Sequence, residues 1–464
     1  MRICFLIPDG VGIRNYLYSE VIPELYAAGH EVVLWHSLDP ALIAKTEERL
    51  GLKFSQYPFV HRADDGLVQL LREAGRYARI RRNARCQKNP TILTNWSGAA
   101  SSLKGKLLNQ AASLVGSFFR SYSSIAGLEA LGHRMIHSSV EFSEAKNFLQ
   151  ELQPDLLFCT HQRVFSVTAA IEAAKSLGIP TSTAIFSWDN LPKGRLPFRV
   201  DQYLVWSKYM KEELLTYYPE ILSSQIQVTG SPQFDFYFQD DLLLSREDFS
   251  ERYQLDLSKT WVCFSGCDTV TSPNDPLYLR DVALALKENP DYQVIFRPVP
   301  VEPIYRFQSV LDDFPEIRLI NPLWIQGNHW GNFFPLFEDI QLLVNLAYHC
   351  KVVLNMGSTM ALDFSTYGNV GLYLRYGHQE GVKDWSVDTI YDFQHFRSMG
   401  DWKAVGFIMS PSEIVPMIRQ AHLSPEFTAP DRSLWFKKIV EPDPGHLSSK
   451  RVVEAMLALS VKSS

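Results

Sequence analysis

Long apolar runs are the first thing this chain lacks. Its 464 residues contain no window approaching 18 uninterrupted apolar positions, so no transmembrane helix is expected. The apolar start Ile3-Cys4-Phe5-Leu6-Ile7 stops at Pro8, which suits a first strand and is too short for a secretory signal. Cysteine is scarce and scattered: Cys4, Cys86, Cys159, Cys263, Cys267 and Cys350 read as buried thiols of a reducing compartment. Cys263 and Cys267 have no matching Cys/His pair, which argues against a zinc site. Positive charge is not in excess either. A formal net charge of −6 argues against a nucleic-acid partner. The expected home is the cytoplasm.

What the chain has is the composition of a folded protein, 46% hydrophobic and 21% charged, at a length that exceeds one ordinary core. Two domains are expected, residues 1–235 and 236–445, followed by a C-terminal helix over 446–464. The opening strand, a loop from Pro8 to Asn15, a helix to Ala28 and a strand Glu31–Trp35 read as the start of a doubly wound parallel sheet. Gly10-x-Gly12 lacks the third glycine of a dinucleotide fingerprint, and no acid closes the second strand. Ligands still collect at that sheet edge, so Asp9, Arg14 and Asn15 are candidates to face a cleft. The alternative is a plain turn and a helix cap. The strand Asp155–Cys159 delivers His161 to a strand's carboxyl end, where it suits proton transfer or a structural hydrogen bond. The loop Ser187–Arg195, shaped by Pro192 and Gly194, carries Trp188, Asp189, Asn190 and Lys193, a content suited to sugars and phosphates.

The second half repeats the rhythm. Strand Trp261–Phe264 breaks at Ser265-Gly266, and strand Gln293–Phe296 ends at Arg297. A Trp- and Asn-rich stretch, 324–334, follows. The apolar run Cys350–Leu354 stops at Asn355-Met356-Gly357, and Ser358 or Thr359 then opens an amphipathic helix. That is an anion site in outline, or only a capped helix. Asp363 lies one turn further on, where a carboxylate can reach ribose hydroxyls. The segments Tyr373–Gly381 and Ile408–Pro411 read as looser. From Arg72 to Lys88 the chain is strongly basic, offset only by Glu73. This reads as a basic amphipathic helix for an anionic membrane surface or a phosphate-bearing lipid, or as a solvated face.

Three stretches carry a family resemblance. Ser358-Thr359-Met360-Ala361-Leu362-Asp363-Phe364 is similar to a signature of the CDP-glycerol glycerophosphotransferase branch. Val228-Thr229-Gly230-Ser231-Pro232-Gln233-Phe234-Asp235 resembles a linker of that branch, of capsule Kdo transferases and, more loosely, of non-hydrolysing UDP-N-acetylglucosamine 2-epimerases. The loop from Ser187 resembles bacterial surface-polysaccharide transferases. The resemblance implies a GT-B fold, two Rossmann-like α/β domains facing a central cleft. Gly357, Ser358 and Thr359, with Ser265, Gly266 and Arg297, would hold donor phosphate, and Asp363 the ribose. Val299 stands where the relatives carry a histidine, which argues against glycerophosphate transfer. No Asp-x-Asp occupies a strand-end loop, so neither metal nor cofactor is expected.

The expectation is a glycosyltransferase of surface-polysaccharide synthesis. It would move a sugar from a nucleotide-sugar donor to a glycan or lipid-linked acceptor, with Asp9, His161 or Asp189 as base. Arg14, Asn15, Trp188, Asn190 and Lys193 would bind the acceptor. The alternatives are a sugar-nucleotide epimerase of the same fold and a non-catalytic scaffold.

Overall fold

The computed structural model of the chain describes residues 1–62, 66–96, 102–327, 333–382 and 385–461. Within the Trp- and Asn-rich stretch, residues 328–332 lie outside the described residues. The chain divides into two compact units: residues 1–235, 325–334 and 439–464 form the first, and 236–324 with 335–438 form the second.

In the first unit the strands are β1 (Arg2–Ile7), β2 (Glu31–His36), β3 (Ser55–Pro58), β4 (Leu156–Cys159), β5 (Thr181–Ala184), β6 (Gln202–Val205) and β7 (Ile226–Val228). They form one parallel sheet in the order β3-β2-β1-β4-β5-β6-β7. The uninterrupted apolar run of β1 explains its central place. Ile3, Cys4, Phe5, Leu6 and Ile7 are all fully buried, as both faces of a parallel strand are covered by helices. Each such side chain contributes roughly 1.5–3 kcal/mol. Order reverses between β1 and β4, and that switch point is where such sheets open a ligand crevice beyond their strand ends.

The flanking helices begin with α1 (Val21–Ala27) and α2 (Pro40–Leu50). Between β3 and β4 the chain inserts a helical layer: α3 (Gly66–Gln87), α4 (Leu103–Gly116), α5 (Tyr122–Ile136) and α6 (Val140–Leu152). Leu71 and Ala74 of α3 pack with Ala112 and Leu128 of the next two helices. This insertion changes the meaning of the basic stretch. Arg79 is fully buried, with Glu129 at 2.6 Å and Glu220 at 2.8 Å, and Arg72 and Arg76 share Glu73. Arg85 and Lys88 are exposed. The outward basic face read from sequence is thus largely an inward one, because acids 50 and 141 residues away meet Arg79.

In the second unit the strands are β8 (Thr260–Ser265), β9 (Tyr292–Arg297), β10 (Arg318–Leu319), β13 (Val352–Asn355), β14 (Val370–Leu374) and β15 (Gly406–Ile408), while β11 (Trp324–Gln326) and β12 (Phe333–Pro335) fall mainly in residues 325–334 of the first unit. The main sheet runs β10-β9-β8-β13-β14-β15, and β11 pairs with β12 separately. Here the switch point lies between β8 and β13. The stretches read as loose begin where strands end, at Tyr373-Leu374 of β14 and Ile408 of β15: strands this short leave no periodic signal.

The terminal helix, Ser448–Val461, belongs to the first unit. Asp235 fixes its start, accepting from Ser448 N at 2.9 Å, Ser449 N at 2.7 Å and Ser449 Oγ at 2.7 Å. Gly230, at φ +74°, leaves room for that helix: a Cβ there would lie 2.3 Å from Ser448 Oγ. Among the described residues no helix is long and apolar enough to cross a membrane.

Candidate functional site

At the first switch point β1 delivers Asp9 and β4 delivers His161. Asp9 Oδ1 accepts from Val11 N at 3.1 Å, closing the turn after β1. Its Oδ2 lies 2.8 Å from His161 Nδ1. A carboxylate can only accept, so it fixes the Nδ1-H tautomer of a neutral ring and leaves Nε2 with its lone pair. That Nε2 is buried and has no hydrogen-bond partner among the described residues. The ring is held by an edge contact to Phe186, centroids 5.4 Å apart. Gln162 Oε1 in turn accepts from Phe186 N at 2.9 Å. The approach of the two strand-end loops depends on Gly12, where a Cβ would lie 2.6 Å from Thr160 Cβ.

A second histidine supports the turn, and sequence reasoning missed it. His61, beyond β3, places Nε2 2.6 Å from Pro8 O and Nδ1 2.7 Å from Ser166 Oγ. Ser37, beyond β2, donates to the same carbonyl. Each residue follows a strand of the sheet; that position is the signal that could have singled them out.

The other first-unit candidates are more internal than expected. Asp189 accepts from Lys193 Nζ, from Ser187 Oγ at 2.6 Å and from Asn190 Nδ2 at 3.1 Å. Trp188 and Asn190 are buried. This loop is held by its own side chains, which is what its density of polar groups does first. Arg14 donates to Gln233 Oε1. Asn15 is buried, its backbone carbonyl accepting from Ser19 Oγ at 2.6 Å.

In the second unit the loops after β8 and β13 meet at the switch point. Gly266 N donates to Arg297 O at 2.9 Å. Cys267 N donates to Asp275 Oδ2 at 2.7 Å, and its thiol touches Met356 O at 3.8 Å. Asp275 is fully buried, and desolvation pushes its carboxyl up to about 7. Asn355 Oδ1 accepts from Ser358 N at 2.8 Å, and Ser358 Oγ accepts from Met360 N at 3.3 Å. The helix that follows is only Met360–Ser365. Thr359 is exposed and Ser358 half-buried. Asp363 accepts from Tyr237 OH at 2.8 Å.

Arg297 departs from the reading of a cation facing phosphate. It is buried, and its Nη2 donates to both oxygens of Asp339, at 3.1 and 3.0 Å. Asp339 also accepts from Leu323 N and Trp324 Nε1. Sequence spacing cannot reveal a partner 42 residues away.

No protein-family model matches the chain, and no curated protein matches it. Solved structures do match. The UDP-GlcNAc 2-epimerase from Neisseria meningitidis bound to UDP-GlcNAc gives a TM-score of 0.53 at 14% identity, over 99% of this chain and 100% of that one. The Methanocaldococcus jannaschii UDP-GlcNAc 2-epimerase in complex with UDP-GlcNAc and UDP gives 0.52 at 12% identity, over 99% and 100%. The S. aureus MnaA–UDP structure gives 0.52 at 11% identity, over 99% and 97%. The chain has the GT-B-like fold of UDP-GlcNAc 2-epimerases.

These neighbours correct the functional expectation. They are epimerases, which goes against the main reading, a glycosyltransferase with a glycan or lipid-linked acceptor. The likeness supports the GT-B type and not the CDP-glycerol branch. The error has a physical origin. Loops that bind a nucleotide diphosphate serve transfer and epimerisation alike, so residues such as Ser265-Gly266 and Ser358 do not distinguish the two.

Proposed function

We propose that the chain is a nucleotide-sugar epimerase acting on a UDP-N-acetylhexosamine, with proton transfer carried out by the first unit and the nucleotide held by the second. The observation that carries this reading is the Asp9–His161 pair at the switch point of the first sheet, with one buried ring nitrogen left to accept a proton.

Inversion at C2 breaks the C2–H bond, whose electron pair forms a C1–C2 double bond as UDP leaves C1, and the reverse addition returns UDP to C1 and a proton to the opposite face of C2. His161, its Nδ1 hydrogen-bonded to Asp9, takes or holds the proton at Nε2. His61 and Phe186 position the two groups and do not exchange protons with substrate. In the second unit, Ser265-Gly266 and the Gly357-Ser358-Thr359 turn are assigned to the diphosphate and Asp363 to the ribose. These two loops meet at that sheet's switch point, the place where open α/β sheets bind ligands. Arg297 keeps the loop after β9 in place through Asp339 and is not assigned a charge-neutralising role.

Incubation with UDP-GlcNAc alone, followed by chromatographic separation of the C2 epimers, tests the reading. The expected result is a mixture of UDP-GlcNAc and UDP-ManNAc with no acceptor present. Unchanged substrate, together with no rise in melting temperature on adding UDP, overturns it.

A further inference from the structure

The helical layer of the first unit encloses a cavity of about 250 Å³ that neither Asp9 nor His161 lines. Four arginines border it: Arg72 and Arg76 from α3, Arg163 from the loop after β4, and Arg195 from the loop after β5. Both acids in its wall already hold arginines, Glu73 two of the four that border the cavity and Glu129 two that do not. Glu73 holds Arg72 at 3.1 Å and Arg76 at 3.3 Å. Glu129 holds Arg79 at 2.6 Å and Arg199 at 2.7 Å. His133, also in the wall, places Nε2 2.7 Å from Pro197 O.

Arg163 and Arg195 form no hydrogen bond or ion pair among the described residues. Arg195 is drawn down to about 10, by burial first and then by the charges of Arg76 and Arg163. Burial also lowers Arg163, with Asp189 and Asp9 offsetting part of it. Two guanidinium groups brought together in a half-buried cavity, without carboxylates to pair them, are unfavourable alone and favourable with an anion between them.

The chemistry of the wall narrows the ligand. Two uncompensated cations match a dianion, and a phosphate monoester carries about −1.5 to −2 near neutral pH. A monocarboxylate matches only one of them. Guanidinium groups also bind phosphate in bidentate fashion. Val68, Ile136 and Leu196 supply apolar wall for a compact body attached to the phosphate. The volume lies below the roughly 300–1,000 Å³ of drug-sized sites, which excludes a whole nucleotide sugar.

We propose that this cavity is a second binding site, for a small phosphate monoester of about hexose-phosphate size, held by Arg163 and Arg195. The proposal is independent of the epimerase reading, since its ligand is not a nucleotide sugar and neither Asp9 nor His161 lines the cavity.

Titration calorimetry and thermal shift on the full chain test it, with glucose 6-phosphate, inorganic phosphate and glucuronate as probes. Glucose 6-phosphate should bind and raise the melting temperature, inorganic phosphate should bind more weakly, and glucuronate weakest. Arg163→Gln and Arg195→Gln should each weaken glucose 6-phosphate at least tenfold and abolish binding together, while Arg85→Gln, on the exposed face, changes nothing. Neither arginine makes a structural hydrogen bond, so the double variant should fold with a melting temperature no lower than that of the wild type. No binding to the wild type overturns the proposal, as does equal binding by the double variant. Glucuronate binding as tightly as glucose 6-phosphate overturns the dianion assignment, and inorganic phosphate doing so overturns the ester.

Discussion

Asp9 Oδ2 and His161 Nδ1 stand 2.8 Å apart, on loops that leave adjacent strands 152 residues apart in sequence. The contact exists because β1 and β4 are neighbours in the sheet, Leu6 pairing with Cys159. Asp9→Asn keeps the shape of the pair, but its amide can donate to Nδ1 and so favour the other tautomer. Epimerase kcat should fall by about 10²–10⁴-fold, the range that a positioned acid–base group contributes, with KM for UDP-GlcNAc little changed. Steady-state kinetics check this, and a circular dichroism melt within a few degrees of wild type confirms that the pair is not simply a folding element. Equal activity in the variant would remove the pair from the chemistry.

Gly357 should tolerate no side chain. Its φ is +73°, and a Cβ there would lie 2.8 Å from Phe396 Cζ. Gly357→Ala should cost about 1–3 kcal/mol, from left-handed backbone and overpacking together. Phe396→Leu added to it should recover the overpacking part and leave the backbone part. A double-mutant cycle in urea separates the two.

Asp235 is the anchor of the terminal helix, through three hydrogen bonds to Ser448 and Ser449. Asp235→Ala should destabilise the first unit by about 2–3 kcal/mol, the scale of losing buried charge-assisted bonds at a helix start. Hydrogen exchange should rise first over Ser448–Val461.

Glu213 gives stability a pH dependence. It lies on α7, the helix Lys208–Tyr217 of the first unit, and desolvation pushes its carboxyl up to about 8, against a hydrogen bond from Tyr209. The folded state therefore binds this proton more tightly than the unfolded chain does. The favourable contribution is complete below about pH 4.5 and is lost as pH rises toward 8. Glu213→Gln should match wild type near pH 4.5 and melt several degrees higher at pH 8. Identical pH profiles for the two proteins would contradict this.

The sequence shows the fold more readily than the chemistry. Apolar runs such as Ile3–Ile7 and Cys350–Leu354 announce buried parallel strands, and the loops after them fall at the switch points. Asp9 and His161 are legible singly, as polar residues after strands, but their contact is a property of strand order. Arg79, Arg297 and Asp189 read as free charges because Glu129, Asp339 and the bonds within the Ser187 loop are invisible to spacing. The basic run Arg72–Lys88 misleads for the same reason: α4 and α5 cover it. Transfer and epimerisation could not be told apart, since both place a nucleotide at the same strand ends.

The central claim is that this chain moves a proton on the sugar of a nucleotide sugar, and one proton NMR experiment in D₂O tests it most directly. With UDP-GlcNAc as sole substrate, the account predicts loss of the C2 proton signal as deuterium enters, alongside UDP-ManNAc, with both abolished in His161→Ala. UDP-GlcNAc that keeps its C2 proton through prolonged incubation with the folded wild-type protein would contradict it.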